Sequence, residues 1–302
     1  VEIKDEQFTF KGNMKLPELY ALQISDTLEM IKFFIENSEI LVNANIAAIK
    51  DAEIKGSKTH DIFKSYEIAV KEKQQKTDDY ENKWYEASQA NDKAKSAYFD
   101  SLYQIAELDL KEATKVWVKN NANSVAAAYI TLRRLAYQMD FKEMEELVNL
   151  FDTAFNQSDY VIKLRKRIEV LKSVAIGNTA PLFSMLDTNG VAVNIEQFKD
   201  KIVLLDFWAS WCPTCRADNP ILVEVYDKLK ADKDIVFIGV SLDKKRDNWL
   251  KAIYNDKLTW LHVSDLKGWD NEAAQLYGVN SIPATFLLDK GLKIVDKNSK
   301  GN

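Results

Sequence analysis

The chain has 302 residues, 46% of them apolar and 29% charged, which is room for two hydrophobic cores at ~100–200 residues per domain. A net charge of −5 with Lys and Arg dispersed among acids excludes a nucleic-acid surface, and no apolar run approaches the ~20 residues of a membrane-spanning helix. Two cysteines are too few for a disulfide-stapled secreted scaffold.

Residues 1–56 read as a partial antiparallel β domain. EQFTFKG (6–12), ELYALQI (18–24), LEMIKFFIEN (28–37) and SEILVNANI (38–46) are short, aromatic or β-branched, and bounded by Gly, Asn, Pro or Ser, as strands are. Pro17 falls between two of them, where its missing N–H does no harm. The abrupt, strand-like opening VEIKDEQFTFKG (1–12) is that expected of a chain starting after processing or inside a domain.

Residues 57–173 change to long charged segments with almost no Gly or Pro, a helical region of three or four helices. Apolar residues recur at helical intervals: Ile62, Tyr66 and Ala69, then Tyr98, Leu102, Ile105 and Leu108. Ser124 and Ser158 are helix-opening residues, and Asp140 followed by Glu143 predicts a capping box. The stretch KEKQQKTDDYENK (71–83) is expected to be solvated along most of its length.

A linker near 173–181 introduces residues 177–302, where strands and helices alternate. Strands are predicted at 182–187, 202–209, 235–242, 259–265 and 284–289, with helices at 213–231, 244–256 and 270–277. Continuous apolar strands separated by helices indicate an α/β domain with a central sheet covered on both faces.

The only two cysteines, Cys212 and Cys215, form one Cys-x-x-Cys inside DFWASWCPTCR (206–216), where a strand gives way to a helix. A thiol reacts as its thiolate, and a helix N-terminus favours that negative charge. Pro213 suits the first helical position, so Cys212 is expected to attack. Cys215, one turn further in and expected to be the more buried, would resolve the mixed disulfide. Asp206 stands on an otherwise apolar strand, where burial would raise its pKa and suit it to accept the Cys215 proton. Pro283, ahead of the last predicted strand, is a candidate cis-proline whose turn leaves backbone free to pair with an extended substrate.

With these residues placed, residues 177–302 resemble the thioredoxin superfamily. Within it they resemble the extracytoplasmic proteins of the cytochrome-maturation and alkyl-hydroperoxide-reductase/thiol-specific-antioxidant type. The likeness is carried by GNTAPLF (177–183), DFWASWCPTCR, Pro220 eight residues after Cys212, and SIPATFLLD. The resemblance implies a thioredoxin-like α/β fold, a redox-active Cys212–Cys215 disulfide with no other cofactor, and no metal. It makes Cys212 the nucleophile, Cys215 the resolving thiol, Asp206 the buried carboxylate and Pro283 the cis-proline. Trp211, Pro213, Thr214 and Ile282 would line the substrate groove. Segment 243–281, including WLHVSDLKGW, looks like this branch's extra helix and strand, and the closing helix the family normally adds is not expected before Asn302. Residues 1–175 resemble, through FTFKGNMKLPELYALQI and FFIENSEILVNA, the region preceding such domains in proteins of Bacteroidota, often lipoproteins. The implied setting is the periplasm or cell envelope, with a possible lipid anchor outside this chain. Implied partners are protein disulfides and an upstream thiol electron donor or acceptor, with no nucleic acid. The pair Pro213-Thr214 differs from the Gly-Pro of thioredoxin, and such pairs set the direction of electron flow.

Two other functions fit parts of the pattern. GxxAPxF is shared with peroxiredoxins, but their activating threonine, three residues before the cysteine, is Ala209 here. A non-catalytic partner-binding module with a vestigial Cys-x-x-Cys would leave Cys212, Cys215, Asp206 and Pro283 together without a purpose. Zinc needs about four ligands, and there is no second Cys-x-x-Cys or paired histidine. His60, at a helix start, reads as a surface residue, and His262, in a strand, as a hydrogen-bonded core residue.

Overall fold

The computed structural model describes residues 7–23, 29–45 and 47–298. The chain forms two compact units, Val1–Arg165 and Lys166–Asn302.

In the first unit β1 (Glu18–Gln23) pairs antiparallel with β2 (Met30–Ile35), and β3 (Leu41–Asn45) with β4 (Ala48–Lys55). Side chains alternate along a strand. Ile31 and Phe33 therefore join Ile49 of β4 in one core, while Phe34 points the other way and is fully buried. β4 escaped the sequence reading because its outward positions carry Lys, Asp and Glu. The strand expected at 6–12 is absent from its described part: Phe8 and Phe10 are exposed, without regular structure. Nearby, the Met14 backbone bonds the side chain of Asn37 instead of a strand ladder. The first six residues, Ile24, Leu28 and Ile46 lie outside the described residues.

The helices are α1 (Lys58–Gln89), α2 (Lys93–Asn120), α3 (Val125–Ile130), α4 (Phe141–Val148) and α5 (Asp159–Ser173), with a π-helical turn at Thr131–Leu135. Phe34 packs edge-on against Phe63 of α1 and Tyr129 of α3, at 5.7 and 5.6 Å between ring centroids. Hydroxyl or carboxylate caps sit at the expected starts: Ser124 accepts from Ala126 N–H, Ser158 from Tyr160 N–H and Asp140 from Glu143 N–H. Only half of the predicted capping box forms, because the Glu143 carboxylate pairs with Lys111 and Lys115 of α2. The face of α2 is also displaced from the one the periodicity suggested. Tyr98, Ile105 and Leu108 are exposed, and the buried positions are Ala106, Thr114, Trp117 and Val118. Small residues there allow α2 to lie close along α1, and Thr114 reaches the Tyr66 hydroxyl of α1 at 3.2 Å.

In the second unit one sheet of seven strands runs in the order β11-β10-β7-β8-β9-β5-β6. Its strands are β5 (Ser184–Asp187), β6 (Ala192–Asn194), β7 (Ile202–Trp208), β8 (Ile235–Ser241), β9 (Leu261–Ser264), β10 (Ala284–Leu288) and β11 (Ile294–Lys297). β7, β8 and β9 are parallel and the other pairings antiparallel. Helices α6 (Pro213–Leu229), α7 (Arg246–Asp256) and α8 (Glu272–Leu276) connect them. Consecutive residues of β7, from Leu205 to Trp208, are all buried, so both faces of the sheet are covered. Phe207 meets Tyr277, just after α8, on one face; Trp208 meets His262 on the other. β6 and β11, too short to stand out in the sequence, are the outer strands.

The units divide between Arg165 and Lys166, inside α5 and upstream of the expected linker at 173–181. The last turns of α5 pack on the second unit's core: a Cβ on Gly278, whose φ is +64°, would meet Val170 at 3.1 Å and Leu171 at 3.3 Å. The closing helix expected to be missing would follow β11, beyond the described residues.

Candidate active site

The site grows from the position of β7, flanked by β10 and β8. In register, Asp206 lies opposite Thr285 on one side and Gly239 on the other. A carboxylate there is removed from water on all sides, and its residue is 5% exposed. Burial, reinforced by the nearby Asp218 carboxylate of α6, pushes its pKa up to about 7. Asp206 is thus a carboxyl that can exchange a proton near neutral pH.

β7 ends at Trp208, and Ala209, Ser210 and Trp211 lead to Cys212 as the N-cap of α6. Cys212 and Cys215 are joined by a disulfide. Both residues are buried, 3% and 2% exposed, so the expected contrast in burial is absent. Surroundings distinguish them instead. The Cys215 N–H donates to Cys212 Sγ at 3.1 Å, and the Thr214 hydroxyl lies 3.3 Å from the same sulfur. These groups, with the start of α6, stabilise negative charge on Cys212. Pro213 occupies the first turn, where it has no N–H to leave unpaired.

Across from Cys212 lies the turn before β10. The Ile282–Pro283 peptide is cis, and the Ile282 carbonyl oxygen is 3.7 Å from Cys212 Sγ. Trp211, half exposed, borders the sulfur and donates its indole N–H to the Leu242 carbonyl at 3.4 Å. Cys212, Cys215, Trp211, Pro213, Thr214, Ile282 and Pro283 therefore surround one place, with Asp206 on the strand that leads to it.

The segment before Cys212 is fixed by residues the sequence did not single out. Asp243, 1% exposed, accepts from the Ser210 N–H at 2.9 Å, from the Ser210 hydroxyl and from the Ser241 hydroxyl at 2.8 Å. Arg216 donates to the Ser210 carbonyl at 3.2 Å while its guanidinium pairs with Asp256. The charge beside Cys215 is thus neutralised locally, and the pairing holds the Asp256 carboxyl below its ordinary range against the opposing effect of burial. A buried carboxylate just after β8 was the available signal, but its partners are distant in sequence.

His60 departs from the surface reading, while His262 keeps the core half of its reading. His60 is buried at the start of α1, and its Nδ1 has no hydrogen-bond partner among the described residues. His262 is buried on β9 beside Gly239, where a Cβ would lie 2.2 Å from its Nδ1. Neither of its ring nitrogens is satisfied by geometry. Burial pushes its pKa down to about 3, opposed only by the neighbouring Leu258 carbonyl. The ring is a neutral aromatic stacked on Trp260 and edge-on to Trp208.

Known proteins share this arrangement in sequence. Residues 200–294 match a family described as thioredoxin-like, and residues 1–63 match a domain of unknown function. The thiol-disulfide oxidoreductase ResA of Bacillus thuringiensis subsp. konkukian is 32% identical over 126 residues, which is 42% of this chain and 70% of that protein. ResA of Bacillus subtilis is 29% identical over 126 residues, 41% of this chain and 67% of the relative. Among solved structures, the C-terminal domain of a putative thiol-disulfide oxidoreductase from Bacteroides thetaiotaomicron is 38% identical, covering 43% of this chain and 90% of its own, with a TM-score of 0.41. A putative thiol:disulfide interchange protein DsbE from Chlorobium tepidum is 32% identical, covering 41% and 85%, with a TM-score of 0.38. Through its second unit, the chain belongs to the thioredoxin-like thiol–disulfide oxidoreductases.

Proposed function

We propose that the protein reduces or isomerises disulfides in exported proteins, with Cys212 as nucleophile and Cys215 as resolving thiol. The observation that carries this reading is the placement of Cys212 Sγ. It receives the Cys215 N–H at the start of α6 and faces the Ile282 carbonyl beside the cis proline.

In the reduced protein the Cys212 thiolate attacks one sulfur of a substrate disulfide. That S–S bond breaks, a Cys212–substrate disulfide forms, and the departing sulfur takes a proton. Asp206 accepts the Cys215 proton, directly or through water. The Cys215 thiolate then attacks Cys212 Sγ and expels the substrate's second sulfur, which takes up a proton in turn. The substrate gains two electrons and two protons, and the protein is left with the Cys212–Cys215 disulfide. An upstream thiol donor restores the dithiol, and no other cofactor is required. Running the steps backwards oxidises substrate, and Pro213-Thr214 contributes to the balance between the two directions. We assign the protein to the periplasm or cell envelope, because disulfides persist in such compartments. No helix among the described residues is long and apolar enough to cross a membrane.

The test is reduction of insulin disulfides by the full chain with dithiothreitol as donor. Wild type is expected to turn over, and Cys212→Ser to fall to the uncatalysed rate. Unchanged turnover in Cys212→Ser would sink the assignment. The reduction potential is expected in the exchange range of roughly −120 to −270 mV, whereas an inert structural disulfide would lie below about −300 mV.

A further inference from the structure

Trp269 is a large apolar side chain on the surface that the roles assigned above do not use. It belongs to a short 3-10 turn, Gly268–Asp270, inside the segment between β9 and β10, and is 41% exposed. Its ring stands 5.9 Å from that of Trp211, which is 50% exposed, with the two planes inclined at 59°. Two tilted indoles thus form an exposed aromatic pair that begins one residue before Cys212.

The pair is built on a fixed frame. Trp211 is tied by its indole N–H to Leu242, and the adjacent Ser210 to Asp243. The turn bearing Trp269 rests on the next residue: Gly268, with φ +65°, lies so close to Lys244 that a Cβ would meet its side chain at 2.6 Å. Fully buried Asn271 caps α8 through Ala274 N–H and donates to Asp265, while Gln275 donates to the Trp269 carbonyl. Both tryptophans therefore hang on the segment 242–244, and their spacing is set before any substrate arrives.

Resting on the oxidoreductase reading, we propose that Trp269 is a specificity-determining residue. With Trp211 it forms an aromatic rim that favours polypeptide disulfides carrying an aromatic or apolar residue beside the reactive cysteine. Cys212 is only 3% exposed, so the substrate sulfur must be brought down to it, and the residues flanking that sulfur must pass over the rim. An apolar flanking side chain laid against the pair exchanges its water for indole faces, and aromatic contacts of this kind are worth roughly three- to tenfold in kcat/KM. A short polar side chain gains nothing there.

The probes are two synthetic disulfide-linked peptides that differ only in Phe or Ser beside the reactive cysteine, reduced by the full-length protein with dithiothreitol as donor. Wild type is expected to favour the Phe peptide in kcat/KM by roughly three- to tenfold. Trp269→Ala should bring that ratio close to one, and Trp269→Phe should keep most of it. A misfolded fraction lowers both rates and leaves their ratio intact, so damage to the fold cannot mimic the effect. Equal use of the two peptides by wild type, or an unaltered ratio in Trp269→Ala, would overturn the proposal. Failure of wild type to reduce either peptide would overturn the oxidoreductase reading and this proposal with it.

Discussion

At the scale of single residues, burial holds the protons of two side chains at unusual values. Asp206 has its carboxyl raised from 3.8 to about 7 in the folded protein. Below pH ~4 the group is protonated in both folded and unfolded chains and has no effect on stability. As pH rises through this interval the unfolded chain releases its proton first, so the folded state progressively loses stability, by an amount on the order of 4 kcal/mol once pH exceeds 7. Asp206→Asn is therefore expected to flatten this decline and raise stability at pH 8, while slowing release of the mixed disulfide. Urea titrations across that pH range together with single-turnover reduction check both effects. Thr214→Val removes a donor from the Cys212 sulfur and should slow alkylation of that thiol in the reduced protein at neutral pH, read from the rate of thiol labelling. His262 acts in the opposite sense to Asp206. Its ring stays neutral when folded, so its contribution to stability is lost as pH falls below the ~6.5 of a free imidazole.

Among elements, the junction between β7 and α6 is held by the residues that follow β8. Asp243→Ala would leave the Ser210 N–H and the hydroxyls of Ser210 and Ser241 without their acceptor. The expected cost is about 2–4 kcal/mol in urea denaturation, with a lower kcat/KM from a displaced Trp211. A variant with unaltered stability and activity would show that the clamp is dispensable. The junction was legible in sequence because a strand, an N-cap and Pro213 announce themselves locally. The clamp was not, because Ser210 and Asp243 are brought together only by β7 and β8 lying parallel. The same limit explains α2. Its apolar residues cover more than one face, and only the partner helix selects Ala106, Thr114 and Trp117 over Ile105 and Leu108. Strand β4 was hidden for a different reason, since its charged outward side chains mask the alternation.

For the whole molecule, the second unit was the readable half. Its strands are buried on both faces and appear as unbroken apolar runs, whereas much of α1 and α2 is solvated, with Thr77 the buried position between Val70 and Ala87. Leu205, fully buried at the centre of the sheet, anchors that core. Leu205→Ala should lower the stability of the second unit by about 2–5 kcal/mol, seen as loss of reductase activity at lower urea. The unit's function reduces to one assertion, that Cys212 is the sulfur joined to substrate. Cys215→Ser, reduced and mixed with a peptide disulfide, tests it directly when the trapped adduct is digested and mapped by mass spectrometry. The substrate is expected on Cys212, in near-stoichiometric yield and absent from the Cys212→Ser, Cys215→Ser double variant; no adduct with Cys215→Ser would contradict the account.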